Sequence, residues 1–309
     1  MKHLLFEIVE ATEAAAVAAS RLVGSGDKIK IDQVATDAMR KRLNNIIFGA
    51  EIVIGEGIKD GSVGLYKGEQ VGKYAELLQK TMNTYEIAVD PVEGTTPTAK
   101  GGYEAMSVIA IGEKGNLMPI EEFYMEKIAV AASKYAAADL HVNFEDSYPS
   151  LVEKVKYRTG KAQLTVCMLD RPRHEALAGK MRSLGCRIRF IQDCDVSGAI
   201  AVAMPQSGID LFIGVGGAPE GVITAAALKC LGGEFIGRLV DDKNYKPVDD
   251  KVYDKEDLAK GRVMFAATGI TNGSLLRGVR IDGKHIVTHS ILMESETKSI
   301  KHVESYHGQ

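Results

Sequence analysis

The chain has 309 residues, 45% hydrophobic and 26% charged, which suits one large domain or two closely packed lobes around a sizeable core. A net charge of −3 argues against general binding to nucleic acid or an anionic membrane, and no apolar run approaches the roughly 20 residues that span a bilayer. Cys167, Cys186, Cys194 and Cys230 form no CxxC pair, so reduced thiols and a cytoplasmic setting are expected rather than a disulfide framework or a thiolate zinc site.

The first twenty residues carry Glu7, Glu10 and Glu13, acids that exclude a secretory apolar core. Their spacing suits one face of an amphipathic helix, predicted from Leu5 to Leu22 and ended by Gly24-Ser25-Gly26. A second helix is predicted over Asp32 to Ile47. Short strands follow at Glu51 to Ile54 and Tyr85 to Val89, with further strand-like runs at Ala105 to Gly112 and Lys127 to Ala132. The polar stretch Asn143 to Pro149 reads as a lobe boundary. Beyond it the pattern alternates: strand Gln163 to Leu169, helix His174 to Leu184, strand Arg187 to Ile191, helix Ser197 to Met204, strand Asp210 to Ile213, helix Pro219 to Leu231. That alternation predicts α/β layering. Asp241 to Lys260, charged and containing Pro247, reads as a surface excursion.

Acids stand immediately after several of these strands, on glycine-bearing loops. In Asp90-Pro91-Val92-Glu93-Gly94-Thr95, Pro91 blocks continued pairing and Gly94 permits a tight turn, so Asp90 and Glu93 can converge with the Thr95 hydroxyl beside them. Oxygen donors of this kind suit Mg²⁺ or Mn²⁺. Read alone, the hexapeptide is equally a polar turn with an Asp cap. Glu56 follows its own strand in Gly55-Glu56-Gly57, by itself more often a turn than a metal site. Gly216-Gly217-Ala218-Pro219-Glu220-Gly221 opens a helix, with Pro at the first position and Glu in the first turn. The same start can contact an anion or point Glu220 at a metal. Arg171-Pro172-Arg173 lies between a strand and a helix; alone it is a solvated loop, yet either arginine can fork a phosphate.

Taken in order, Gly26-Asp27-Lys28 with Asp32, Val53-Ile54-Gly55-Glu56-Gly57, Val89 to Thr95, Tyr124-Met125-Glu126-Lys127, Arg171 to His174, Gly216 to Gly221 and Ala267 to Thr271 resemble the class II fructose-1,6-bisphosphatase family. That family sits within the lithium-sensitive, metal-dependent sugar phosphatases. The resemblance implies a layered α/β sandwich of two lobes, and places the division at 1–145, metal-binding, and 146–309, sugar-phosphate-binding. It implies hydrolysis of the 1-phosphate of fructose 1,6-bisphosphate, with sedoheptulose 1,7-bisphosphate as a second candidate substrate, and two or three Mn²⁺ or Mg²⁺ ions. By the same resemblance Asp32 and Glu56 hold one metal, and Asp90, Glu93 and Glu220 another. Thr95 activates water with Lys28 nearby. Gly94, Thr95, Tyr124, Arg171, Pro172, Arg173, Asp193, Cys194, Asp195 and Gly217 contact the sugar and its phosphates. A homo-oligomer, dimer or tetramer, is expected.

Four segments depart from the family pattern. Cys194 replaces a glycine, Glu104 stands where asparagine is usual, Ile58-Lys59-Asp60-Gly61 is less acidic, and the segment from Asp241 to Gly261 is shorter. Glycine at such a position tolerates positive φ, so Cys194 either strains the backbone or the loop has shifted; the expectation leans to a shifted loop. Two other readings compete. A dinucleotide-dependent oxidoreductase is suggested by Gly214-Val215-Gly216, but Pro219 stands where that fingerprint needs a third glycine. A catalytically silent sugar-phosphate or metal-binding regulator on the same scaffold is the other, and within the hydrolase reading the alternative is a phosphatase of another phosphorylated sugar or polyol.

Overall fold

The computed structural model describes residues 4–56, 64–74, 85–121, 123–132 and 141–308. Helix α1 (Leu5–Ser20) buries Leu5, Ile8, Val9, Thr12, Ala15, Ala16 and Ala19, the face its helical period predicts. Helix α2 (Lys28–Leu43) begins a turn earlier than its apolar pattern suggests, because the Asp27 carboxylate accepts from the Lys30 amide and sets the start. Arg42, in its last turn, pairs with Glu7 and Glu10 of α1 and ties the two helices together.

The chain then lays down β1 (Ala50–Ile54), β2 (Gln70–Val71), β3 (Tyr85–Glu93), α3 (Thr95–Lys100) and β4 (Met106–Glu113). Next come β5 (Tyr124–Val130), α4 (Tyr148–Thr159), β6 (Thr165–Leu169), α5 (Glu175–Ser183), β7 (Arg187–Ile191) and α6 (Asp195–Ala201). The rest is β8 (Leu211–Gly217), α7 (Ala218–Leu231), β9 (Glu234–Val240), β10 (Tyr253–Asp254), α8 (Lys255–Leu258), β11 (Val263–Gly269), β12 (Arg280–Asp282), β13 (His285–Glu294) and β14 (Ser299–Gly308). One eight-stranded sheet runs β12-β13-β11-β4-β3-β1-β2, with β14 on β13; a six-stranded sheet runs β10-β9-β5-β8-β6-β7.

Period-two alternation assigns the faces. In the larger sheet Ile87, Val89, Ile109, Ile111, Met264 and Leu292 pack toward α1 and α2. The intervening Ala88, Val108, Ala110, Phe265, Ile291 and Met293 pack on the opposite side with α6 and α7. Met125, Ala129, Cys167 and Phe212 of the smaller sheet meet that same central layer, while Ile128, Val166, Met168 and Ile213 face α4 and α5. Helices and sheets therefore alternate as five layers, the α/β sandwich expected. Helix α7 is buried on every side, from Val222 through Leu228, because it lies between two sheets.

Sheet membership interleaves along the chain: β5 belongs to the smaller sheet, and β11 to β14 return to the larger one. The stretch read as a lobe boundary leads into helix α4, with the Ser147 hydroxyl accepting from the Ser150 amide and Pro149 in the first turn. Nor is 241–260 wholly a surface excursion, since Tyr253, Leu258 and Ala259 are buried in the central layer. No helix among the described residues is long and apolar enough to cross a membrane.

Candidate active site

The site begins at the end of β3. Residues three apart on a strand point to opposite faces, which would separate Asp90 from Glu93. The pairing of β3 with β4 slips between those two residues, at Pro91, whose missing N–H cannot continue the ladder. The slip rephases the strand, and Asp90 is held in its turn by accepting from the Val92 amide at 2.9 Å. Glu220, in the first turn of α7, completes a cluster in which one carboxylate oxygen from each of Asp90, Glu93 and Glu220 lies within 4.8 Å of the others. A Cβ on Gly217 would fall 1.9 Å from Glu220 Oε2, so any side chain there would push that carboxylate out of its present place.

Crowding this close raises proton affinity. Burial, then the charges of Glu93, Glu56 and Glu220, push the Asp90 carboxyl well above its usual range. Burial and the neighbouring Asp195 push Glu93 up to about 8, although the Val196 amide at the start of α6 donates to its carboxylate at 3.1 Å. An all-oxygen, mutually repelling donor set fits a hard divalent cation, which would relieve the repulsion.

A cleft of about 1090 Å³ opens above the cluster. Of the residues expected from the sequence, Lys28, Asp32, Glu56, Asp90, Glu93, Gly94, Thr95, Tyr124, Asp193, Gly217 and Glu220 line it. Asp32 and Glu56 share the cleft without joining the 4.8 Å cluster. The Thr95 hydroxyl donates to Asp32 Oδ1 at 2.8 Å, and Lys28 Nζ donates to Thr96 Oγ1 at 2.8 Å. Burial raises the Asp32 carboxyl, partly opposed by the Thr95 hydrogen bond and the Lys28 charge.

Five expected residues lie outside the cleft wall. Arg171 pairs with Asp193 at 2.7 Å, behind it. Pro172 opens a single 3₁₀ turn, Pro172–His174. Arg173 donates through Nε and Nη2 to the Val215 carbonyl at 3.1 and 2.7 Å. Buried His174 pins that turn, one ring nitrogen on the Leu169 carbonyl and the other accepting from the Val215 amide. Asp195 points into the core, where Lys127 Nζ meets it at 2.6 Å.

Cys194 caps α6 with φ +68°, so its backbone keeps the left-handed conformation and the shifted loop does not occur. Its thiol donates to the Glu93 carbonyl at 3.2 Å, and burial raises its pKa well above the ordinary thiol value. Glu104 is likewise left-handed, φ +75°, and accepts from the Ser274 amide, the Ser274 hydroxyl and Arg189. Ile58, Lys59, Asp60 and Gly61 lie outside the described residues. Sequence reasoning missed Asp241 and Asp242, which also line the cleft. They follow β9 directly, the same acid-after-strand signal that marked Asp90.

The family model described as bacterial fructose-1,6-bisphosphatase, glpX-encoded, matches residues 2–307. A protein of Synechococcus sp. strain JA-2-3B'a(2-13), named D-fructose 1,6-bisphosphatase class 2/sedoheptulose 1,7-bisphosphatase, is 40% identical, covering 97% of this chain and 94% of its own. One of the same name from Trichodesmium erythraeum strain IMS101 is 40% identical over 97% of this chain and 95% of its own. A solved extragenic suppressor from Pyrococcus furiosus shares 13% identity at a TM-score of 0.33, a likeness that carries no argument.

Two predictions follow from this geometry. In the chelated protein, folded Glu93 holds its proton to about pH 8 and unfolded Glu93 only to about 4.5, so stability falls as pH rises through that window and levels above it. Thermal midpoints measured from pH 5 to 8.5 should drop by several degrees, and millimolar Mn²⁺ should remove the slope; a flat profile without metal contradicts the crowding. Gly94 has φ +100°, and a Cβ there would meet Cys194 Sγ at 2.4 Å. Gly94→Ala should therefore cost at least ~1–2 kcal/mol from backbone strain alone. Cys194→Gly should recover part of the steric excess, with a coupling of about 1 kcal/mol in denaturant melts; strict additivity would deny the contact.

Proposed function

The chain belongs to the glpX-encoded bacterial fructose-1,6-bisphosphatase family, and on that premise we propose that it hydrolyses the 1-phosphate of fructose 1,6-bisphosphate, with sedoheptulose 1,7-bisphosphate as a second substrate. The observation that carries this reading is the convergence of Asp90, Glu93 and Glu220 at the floor of a cleft that also holds Asp32, Glu56 and Thr95. We assign Asp90, Glu93 and Glu220 to one Mn²⁺ or Mg²⁺, and Asp32 with Glu56 to another. Bound there, divalent ions would neutralise the acids, polarise the phosphoryl oxygens and lower the pKa of water.

The chain's own residues supply positioning and proton transfer, which is most of what phosphoryl transfer asks of a protein. The Thr95 hydroxyl orients the attacking water. As the water oxygen bonds to phosphorus and the sugar O–P bond breaks, Thr95 takes the water's proton and passes its own to Asp32 Oδ1, its existing 2.8 Å partner, while the departing sugar oxygen takes a proton from solvent and leaves as a hydroxyl. Lys28, held on Thr96, places a cation beside the reacting phosphate. Tyr124, Asp193 and Gly217 line the sugar end, and we assign the phosphate that does not react to Arg171 and Arg173, which stand just outside the cleft wall on Asp193 and the Val215 carbonyl. Asp195, tied to Lys127, fixes the start of α6 from inside.

Phosphate release from a panel of phosphorylated sugars, after chelation and with Mn²⁺ or Mg²⁺ restored, tests the reading. Turnover of the six- and seven-carbon bisphosphates only with metal is the expected result, and full activity after exhaustive chelation is the contrary one. Within that assay Thr95→Ala should lower kcat by about 10²-fold or more with KM little changed, the mark of lost water activation. Arg173→Ala should mainly raise KM. The reverse pattern would exchange the two roles.

A further inference from the structure

The loop after β9 carries a conformation that its sequence does not require. Tyr245 has φ +55°, a region where bulky residues are outliers and where glycine or asparagine costs less. The loop is clamped into this shape. Asp241 donates its amide to the Lys246 carbonyl at 2.9 Å, and its carboxylate accepts from the amides of Lys243, Asn244 and Lys246. Backbone strain held this firmly points to a use for the side chain it presents.

That side chain meets Arg173. The guanidinium carbon lies 5.2 Å from the Tyr245 ring centre and 5.4 Å from that of Tyr124, and the two rings stand perpendicular at 5.5 Å. The three groups form a nearly equilateral triangle, with the cation in the angle between two aromatic faces. Nε and Nη2 are spent on the Val215 carbonyl, while Nη1 meets no protein acceptor among the described residues. The Tyr245 hydroxyl has no partner among them either, so its ring does the holding. Tyr124, Asp241, Asp242 and Val248 all line the cleft, which puts this triangle at its edge.

We infer that Tyr245 is a positioning residue that sets the affinity for the non-reacting phosphate, by fixing the Arg173 guanidinium with Nη1 available to that anion. This rests on the hydrolase reading and deepens it. An arginine side chain loses much freedom on binding an anion, and a ring contact that orders it beforehand lowers that cost. Nothing in this role touches the transferred phosphoryl group, so binding changes and chemistry does not.

The test is steady-state kinetics of the Mn²⁺-loaded enzyme. Tyr245→Ala should raise KM for fructose 1,6-bisphosphate about 3- to 10-fold, the range such a cation–π contact supports. The inhibition constant of fructose 6-phosphate should rise by the same factor, with kcat and the half-saturating Mn²⁺ concentration unchanged. Tyr245→Phe should match the wild type. Unchanged KM in Tyr245→Ala, a fall in kcat with a shifted Mn²⁺ requirement, or a Tyr245→Phe as impaired as Tyr245→Ala would each overturn the inference. A wild-type enzyme with no turnover of any sugar bisphosphate would overturn the hydrolase reading and this inference with it.

Discussion

Three carboxylates that repel one another are held within 4.8 Å, and much of the architecture around them serves to keep them there. Asp90 and Glu93 come from one irregular strand end, and Glu220 comes from a helix more than a hundred residues later. In water, acids so placed would separate. Here the larger sheet fixes β3 through its pairing with β4, and α7 cannot retreat because two sheets enclose it. Burial, together with that repulsion, therefore raises the proton affinity of Asp90 and Glu93. Binding a divalent cation converts that cost into affinity.

The surrounding contacts keep the acids aimed rather than merely close. The Val196 amide holds Glu93 from the start of α6, and the Cys194 thiol holds the Glu93 carbonyl. Asp195, in the first turn of the same helix, is anchored by buried Lys127 on β5. Elements of both sheets thus converge on one point, β3 from the larger and β5 with β8 from the smaller. The cleft lies where the two sheets and α7 meet, and Asp32, Thr95 and Tyr124 all line it. Left-handed Cys194 reaches the cluster through its thiol on the Glu93 carbonyl, and left-handed Tyr245 packs against Tyr124 of the cleft wall.

Much of this was legible in the sequence because strong local signals carry it. Asp90 to Thr95 announces an irregular strand end through Pro91 and Gly94, although the strand runs on to Glu93 rather than stopping at Val89 as read; Pro219 with Glu220 announces a helix start, which stands as read. The α/β layering of the second half followed from its alternating pattern. Helix α4 was hidden because Ser147 and Pro149, which start it, also look like a linker. Strand β11 is defined by pairing with distant β4, information no local window holds, and β13 joins the sheet through β11 with β12 and β14 as its hairpin partners. Asp195 illustrates a further limit, since only the fold reveals that Lys127 draws it inward. Asp241 and Asp242 had the right signal, an acid after a strand, masked by the charged residues that follow.

The central claim is that a cation replaces protons in the acidic cluster. Isothermal titration of Mn²⁺ into the chelated protein at pH 6.5, in buffers of different ionisation enthalpy, measures the protons released per ion bound. With Glu93 raised to about 8 and Asp90 also raised, binding should release protons at pH 6.5, and the release should fall at pH 9 or on Glu93→Gln substitution. Tight Mn²⁺ binding with no proton release at pH 6.5, unchanged by Glu93→Gln, would place the cation elsewhere and contradict the account.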